Sequence, residues 1–99
     1  MEIEFELGGE VFRWNAEKAA TNIAKHGVTF EQAAQVFFDP NFQITNADRN
    51  DEARDALIGI DARLRLLYVV HIDNDADGHI RIISARPATT QERKLYGDI

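Results

Sequence analysis

Residues 64–72, LRLLYVVHI, constrain this chain more than any other segment. They read as the strongest strand in the sequence. Alternation puts Leu66, Tyr68, Val70 and Ile72 on one face and Leu67 and Val69 on the other. Both faces are largely apolar, so the strand is expected at the centre of a sheet, covered on both sides. Its partners lie close in sequence. Residues 79–86 form a second strong strand, entered through the turn 73–78 and closed by Pro87. Strands at 42–46 and about 54–60 come before it, separated by an exposed polar loop at 46–53, and Asp61, Ala62 and Arg63 make a short turn.

The N-terminal part follows a different period. Residues 2–7 and 10–14 flank Gly8-Gly9 and read as a short hairpin or one bent edge strand. Asn15 is an N-cap for a helix over 16–26, which Gly27 stops. Ala16, Ala19, Ala20, Ile23 and Ala24 recur at helical spacing as a packing stripe, with Lys18, Asn22 and Lys25 on another side. Thr29 with Gln32 is a capping box, stapled by Val28 and Ala33. It opens a second helix that buries Phe30, Ala33, Ala34 and Phe37 and ends at Asp39-Pro40. Thr89 with Glu92 is another capping box, for a short helix ending near Tyr96. The expected class is α+β, a single domain over residues 1–99: an antiparallel sheet packed against two N-terminal helices, with a short C-terminal helix.

Composition removes several kinds of chemistry. There is no cysteine, hence no disulfide scaffold, thiol nucleophile or cysteine-ligated zinc. There is no H-E-x-x-H and no carboxylate cluster for two metals, and no cofactor is expected. The opening MEIEFELGG is acidic and unlike a secretory signal, no apolar run reaches membrane-span length, and a cytoplasmic location is expected. The net charge of -6 argues against tight binding to bulk nucleic acid. The charge is uneven, however. Residues 1–10 sum to -4, while residues 11–30 and 81–99 each sum to +2, so two basic segments are available to meet in space.

Several residues are candidates for chemistry. Arg54, Arg81 and Arg86 would make a phosphate-binding anion site if they converged on one concave face; otherwise they cover a sheet and pair with acids. Arg81 and Arg86 have odd spacing, so strict alternation sends them to opposite faces unless a bulge intervenes. His26 either caps its helix beside Lys25 or transfers protons. Trp14 and Phe12 either stack on a base or pack in the core. His71 and His79 flank the 73–78 turn, as cross-strand neighbours or as two ligands lacking a third. That turn has the D-x-D-x-D-G spacing of half a calcium loop. Its twelfth position is Ser84 and its flanks are strands, so a solvated hairpin turn is the better reading.

The assembled motifs resemble one family. Phe12-Arg13-Trp14-Asn15 with Lys18 and Asn22 resembles its F-x-W-[DN]-x-x-K-x-x-x-N opening. Lys25-His26-Gly27-Val28-Thr29-Phe30-Glu31, followed by Ala33, Val36-Phe37 and Asp39-Pro40, resembles its K-H-G-V-x-F-E-x-A-x-x-V-F-x-D-P signature. Arg54 with Gly59 matches R-x-x-x-x-G. The block from Arg81 to Arg86, with Ala88, Thr89, Glu92, Arg93 and Tyr96, matches R-I-I-S-A-R-x-A-T-x-x-E-R-x-x-Y. The chain thus resembles the BrnT family of type II toxins over about residues 10–97.

The resemblance implies a RelE-like fold and a ribonuclease toxin that cleaves RNA, free or on the ribosome, and slows translation. It implies a BrnA-like ribbon-helix-helix antitoxin, through which alone the complex would meet operator DNA. The alternative is a non-catalytic toxin-fold protein that binds its antitoxin as a corepressor. By resemblance, Arg54, Arg81 and Arg86 bind or cleave RNA, and Lys25 and His26 form a basic pair, with Lys18 and Trp14 as further substrate contacts. Glu52 stands near an acidic position that usually precedes the first arginine, where this chain has Ala53. A histidine usual in the polar loop is replaced near Asn50, and a basic residue after the long strand is replaced by Asp73, Asn74 or Asp75. Residues 1–9 form an acidic extension. The expected chemistry is metal-independent, with the RNA 2′-hydroxyl as nucleophile.

Overall fold

The computed structural model describes residues 1–49, 52–73 and 76–97. Asn50, and Asn74 and Asp75 inside the D-x-D-x-D-G turn, lie outside them. The chain is α+β: β1 (Glu2–Leu7), β2 (Glu10–Asn15), α1 (Ala16–His26), α2 (Phe30–Gln35) continued by a 3-10 turn (Val36–Phe38), β3 (Gln43–Asn46), β4 (Asp55–Ile60), β5 (Leu66–Ile72), β6 (Ile80–Pro87) and α3 (Thr90–Tyr96).

The six strands form one sheet in the order β1-β2-β6-β5-β4-β3. All neighbours are antiparallel except β2 and β6, which run parallel through Phe12 with Ile80 and Arg13 with Arg81. The sheet is therefore mixed, not purely antiparallel as expected. Nearby strands pair through turns, but β2 reaches the sheet only after two helices, and that crossover fixes a parallel register. Among the described residues no helix is long and apolar enough to cross a membrane.

The caps hold the helices where the sequence places them. The Asn15 side chain accepts from Glu17 N and Lys18 N, Gly27 closes α1 at φ 68°, and both capping boxes form. The first two strands are a hairpin with Gly8 and Gly9 both at positive φ, the geometry its two-residue turn requires. Gly8 is also needed for space: a Cβ there would lie 2.5 Å from the Phe38 ring.

β5 is interior, as expected, but its two faces differ. Leu67, Val69 and His71 are buried under the helical layer, with Phe12, Trp14, Phe30, Val36, Leu57 and Ala85 around them. Tyr68, Val70 and Ile72 are only half-buried, because no helix covers the middle of that face. The strand also begins two residues later than its apolar pattern. Asp61, buried, accepts from Arg63 N and Arg65 N and from the Arg65 guanidinium, so Leu64, at φ 64°, and Arg65 belong to the turn.

Only the first turn of the alanine stripe of α1 faces inward, with Ala16 half-buried and Ala19 packed against the core. Ala20, Ile23 and Ala24 are exposed, whereas Asn22 is 6% exposed. Beyond Arg81, β6 parts from β2, and α1 fills the space. Asn22 Nδ2 donates to Ala85 O at 2.8 Å and to Val28 O at 3.0 Å, while its Oδ1 accepts from Ala85 N at 3.1 Å. One side-chain amide thus does the hydrogen bonding of a missing strand, which fixes the rotation of α1 against its hydrophobic preference.

Candidate functional site

The uncovered sheet face carries the arginines. Tyr68 pairs with Arg86 and Val70 with both Ser84 and Ala56, so these residues share a face. His71 pairs with Ile82 and Val70 with Ser84, leaving Ile83 as the extra residue of a bulge. That extra residue resolves the odd spacing and puts Arg81 and Arg86 on the same face. They stand about 15 Å apart along the strand, at five residues of ordinary rise.

Arg86 and Arg54 line one pocket of about 330 Å³, with Asp48, Arg49, Tyr68 and Ser84. Arg86 lies over the Tyr68 ring at 4.3 Å, and Glu92 of α3 grips it with two hydrogen bonds of 2.7 Å. Those bonds raise the guanidinium further above its ordinary value. Burial alone would raise the Glu92 carboxyl, but the bonds from Arg86 and Thr89 hold it low. Arg54 Nε donates to Glu52 Oε1 at 2.6 Å, and its backbone N–H to Asp48 at 3.0 Å. Arg49 and Glu52 form a bridge, and Ala47 N donates to Arg54 O, so the pairing of β3 with β4 continues past both strands.

A second groove, about 430 Å³, runs between α1 and the β6 bulge and meets the first at Ser84. Lys18 and Lys25, two helical turns apart, line it together with His26. The two basic segments of the sequence therefore adjoin on one surface.

Arg81 is on the same face but lines neither concavity. Its Nη2 lies 2.9 and 3.0 Å from the two carboxylate oxygens of Glu2 in β1. The hydrogen bond from Arg81 lowers the Glu2 carboxyl. Beside them Glu4 faces Arg13 at 3.4 Å and His79 at 3.6 Å, and Asp77 also pairs with Arg13.

Other candidates go elsewhere. Trp14 is 2% exposed and stands edge-on to Phe30 at 5.7 Å, so its ring packs the core and cannot reach a base on the open face. Phe12 is likewise buried. His71 points into the core against Phe37, where burial lowers its pKa, and pairs with Ile82, not His79. The two histidines do not meet. Among the described residues no three His, Asp or Glu side chains gather in a way that would hold a metal ion. The sequence assigns Arg49 and Tyr68 no role at a site, and Ser84 only the twelfth position of the calcium spacing. Tyr68 and Arg86 bracket the same hairpin at matching register, and that pairing was the available signal.

A family model described as the ribonuclease toxin BrnT of a type II toxin-antitoxin system matches residues 14–92. The chain belongs to the BrnT family. The match spans the Arg54–Arg86 pocket and the α1 groove, and leaves β1 and most of β2 outside. BrnT membership makes the chain a toxin-family protein with an antitoxin partner and an RNA substrate. Comparison with curated proteins returns no match.

Proposed function

We propose that this BrnT chain is a metal-independent endoribonuclease of the RelE-like type, acting in the cytoplasm to inhibit translation under stress. In this reading a ribbon-helix-helix antitoxin of the BrnA type covers it, and the pair represses its own operator through the antitoxin. The observation that carries the activity is the placement of Arg54 and Arg86 in one open pocket on the sheet, inside the span matched by the family.

RNA brings its own nucleophile. The 2′-oxygen attacks the neighbouring phosphorus, the bond to the 5′-oxygen breaks, and a cyclic phosphate and a 5′-hydroxyl result. Arg54 and Arg86 bind the phosphate and stabilise the charge that builds on it. Glu52, held beside Arg54, takes the proton of the 2′-hydroxyl, and His26, across Ser84 in the adjoining groove, gives one to the leaving oxygen. Lys18 and Lys25 hold flanking phosphates, and Arg81 stands at the far end of the same face, where Glu2 pairs with it.

A second reading rests on one observation: Arg54, Arg81 and Arg86 each already carry a glutamate partner. On that reading the chain is a corepressor module without catalysis. Purified protein, freed of antitoxin and incubated with RNA in EDTA, separates the two. Cleavage that falls about 10²–10³-fold in Arg86→Ala or Arg54→Ala supports the nuclease. Absence of cleavage, with antitoxin binding unchanged by either substitution, supports the module. Cleavage abolished by EDTA refutes the metal-free mechanism.

A further inference from the structure

The uncovered face of β1 carries Glu2, Glu4 and Glu6, because Ile3, Phe5 and Leu7 turn into the core. These glutamates stand at the end of the sheet opposite β3, next to Arg13 and Arg81, which pair across β2 and β6. Glu2 presents both carboxylate oxygens to Arg81 Nη2, much as a phosphate presents two oxygens to a guanidinium. The ion pair is partly open to solvent, Arg81 being 29% and Glu2 44% exposed at the side chain. Such a pair is weak enough to be exchanged for another anion. Arg81 lies within the residues matched by the family, and Glu2 and Glu4 lie before them.

We infer that β1 sets the length of RNA this site holds: Glu2 occupies Arg81 as a built-in substitute for a phosphate. The bound strand then engages the Arg54–Arg86 pocket and the α1 groove, and is turned away at β1. This rests on the ribonuclease reading, since it gives the same face an RNA ligand. It fits the acidity of the first strand, whose three glutamates lie on the same face as Arg13 and Arg81.

The test is direct binding of fluorescent 2′-O-methyl oligouridylates, which lack the nucleophilic hydroxyl, at several lengths and salt concentrations. Wild type is compared with Glu2→Gln and Arg81→Ala, the double variant, and Glu6→Gln. Glu6 is a matched control: it has the same charge and face and pairs with no arginine among the described residues. Release of Arg81 adds one phosphate contact, which steepens the salt dependence by about 0.7 in log–log slope. Between 200 and 50 mM salt, E2Q then gains about 2.6-fold more affinity than wild type, and its affinity keeps rising with oligomer lengths at which wild type has levelled off. Glu6→Gln leaves slope and length dependence as in wild type, and Glu2→Gln has no effect once Arg81 is alanine. Binding by wild type with an unchanged slope in E2Q overturns this inference alone, as does a gain that persists without Arg81 or appears equally in E6Q. Failure of every form to bind overturns the ribonuclease reading as well.

Discussion

Replacing Asn22 by leucine changes little in volume but removes three hydrogen bonds, those to Val28 O, Ala85 O and Ala85 N. All three backbone groups lie in a buried seam where β6 has no strand on that side. At about 1–1.5 kcal/mol for each orphaned group, the loss is roughly 3–4.5 kcal/mol. The buried leucine returns about 1.5–3 kcal/mol by leaving water. The net destabilisation is therefore about 1–2 kcal/mol, a sizeable share of the roughly 5–15 kcal/mol that holds a domain together. Trp14 is the sole tryptophan and is buried, so its fluorescence reports unfolding. With a urea m-value of about 1 kcal/mol per molar for a chain this small, the midpoint falls by about 1–2 M. A fall under about 0.5 M would refute the claim that Asn22 stands in for a strand, and would mean that water satisfies Ala85.

Lowering the pH from 7.5 to 5.5 destabilises the protein through His71. Burial holds its folded pKa below the ordinary 6.5, so the unfolded chain takes up a proton that the folded one does not, and stability present above about pH 6.5 is lost as the pH falls. Thermal melts of His71→Phe are flat across that range; an unchanged slope refutes the assignment. Asp39 and Glu92, whose folded values are lowered, act only further down, near their ordinary 3.8 and 4.5. Gly8→Ala, at φ 57° and against Phe38, costs about 1–2 kcal/mol and lowers Tm by roughly 5–15 °C, measured by calorimetry. Glu92→Gln weakens the grip on Arg86 and costs about 1–2 kcal/mol of stability, since the pair is half screened. RNA cleavage falls with it, and unaltered turnover would show that Arg86 needs no such support.

Local chemistry was the legible part of the sequence. Asn15, Gly27, Thr29 and Thr89 each satisfy backbone groups within a few residues, so their caps are visible in the order of letters. The interior position of β5 followed from its apolar run. The rotation of α1 did not, because it is set by Ala85, 63 positions from Asn22. Hydrophobic counting favoured Ala20, Ile23 and Ala24, and three long-range hydrogen bonds outweighed them. The same limit applies to the site. Arg54 and Arg86 were named from their type, but their meeting depends on strand register, and the side of the sheet that Arg81 takes depends on one extra residue at Ile83. The pairing of Arg81 with Glu2 joins opposite ends of the sequence and has no local signature.

The register of Phe12 with Ile80 also bears on how the protein is made. A ribosome adding about 5–20 residues per second needs roughly 3–14 s to travel from the first of these positions to the second. Throughout that interval the hairpin and the first two helices exist without β6, so Phe12, Trp14 and Phe30 lack part of their cover. The nascent chain also has no arginine pocket, since Arg86 is still unmade. Whatever this surface does to RNA begins only after Arg86 has been made, and the long-range strand pairing that closes the sheet is the slow event that switches it on.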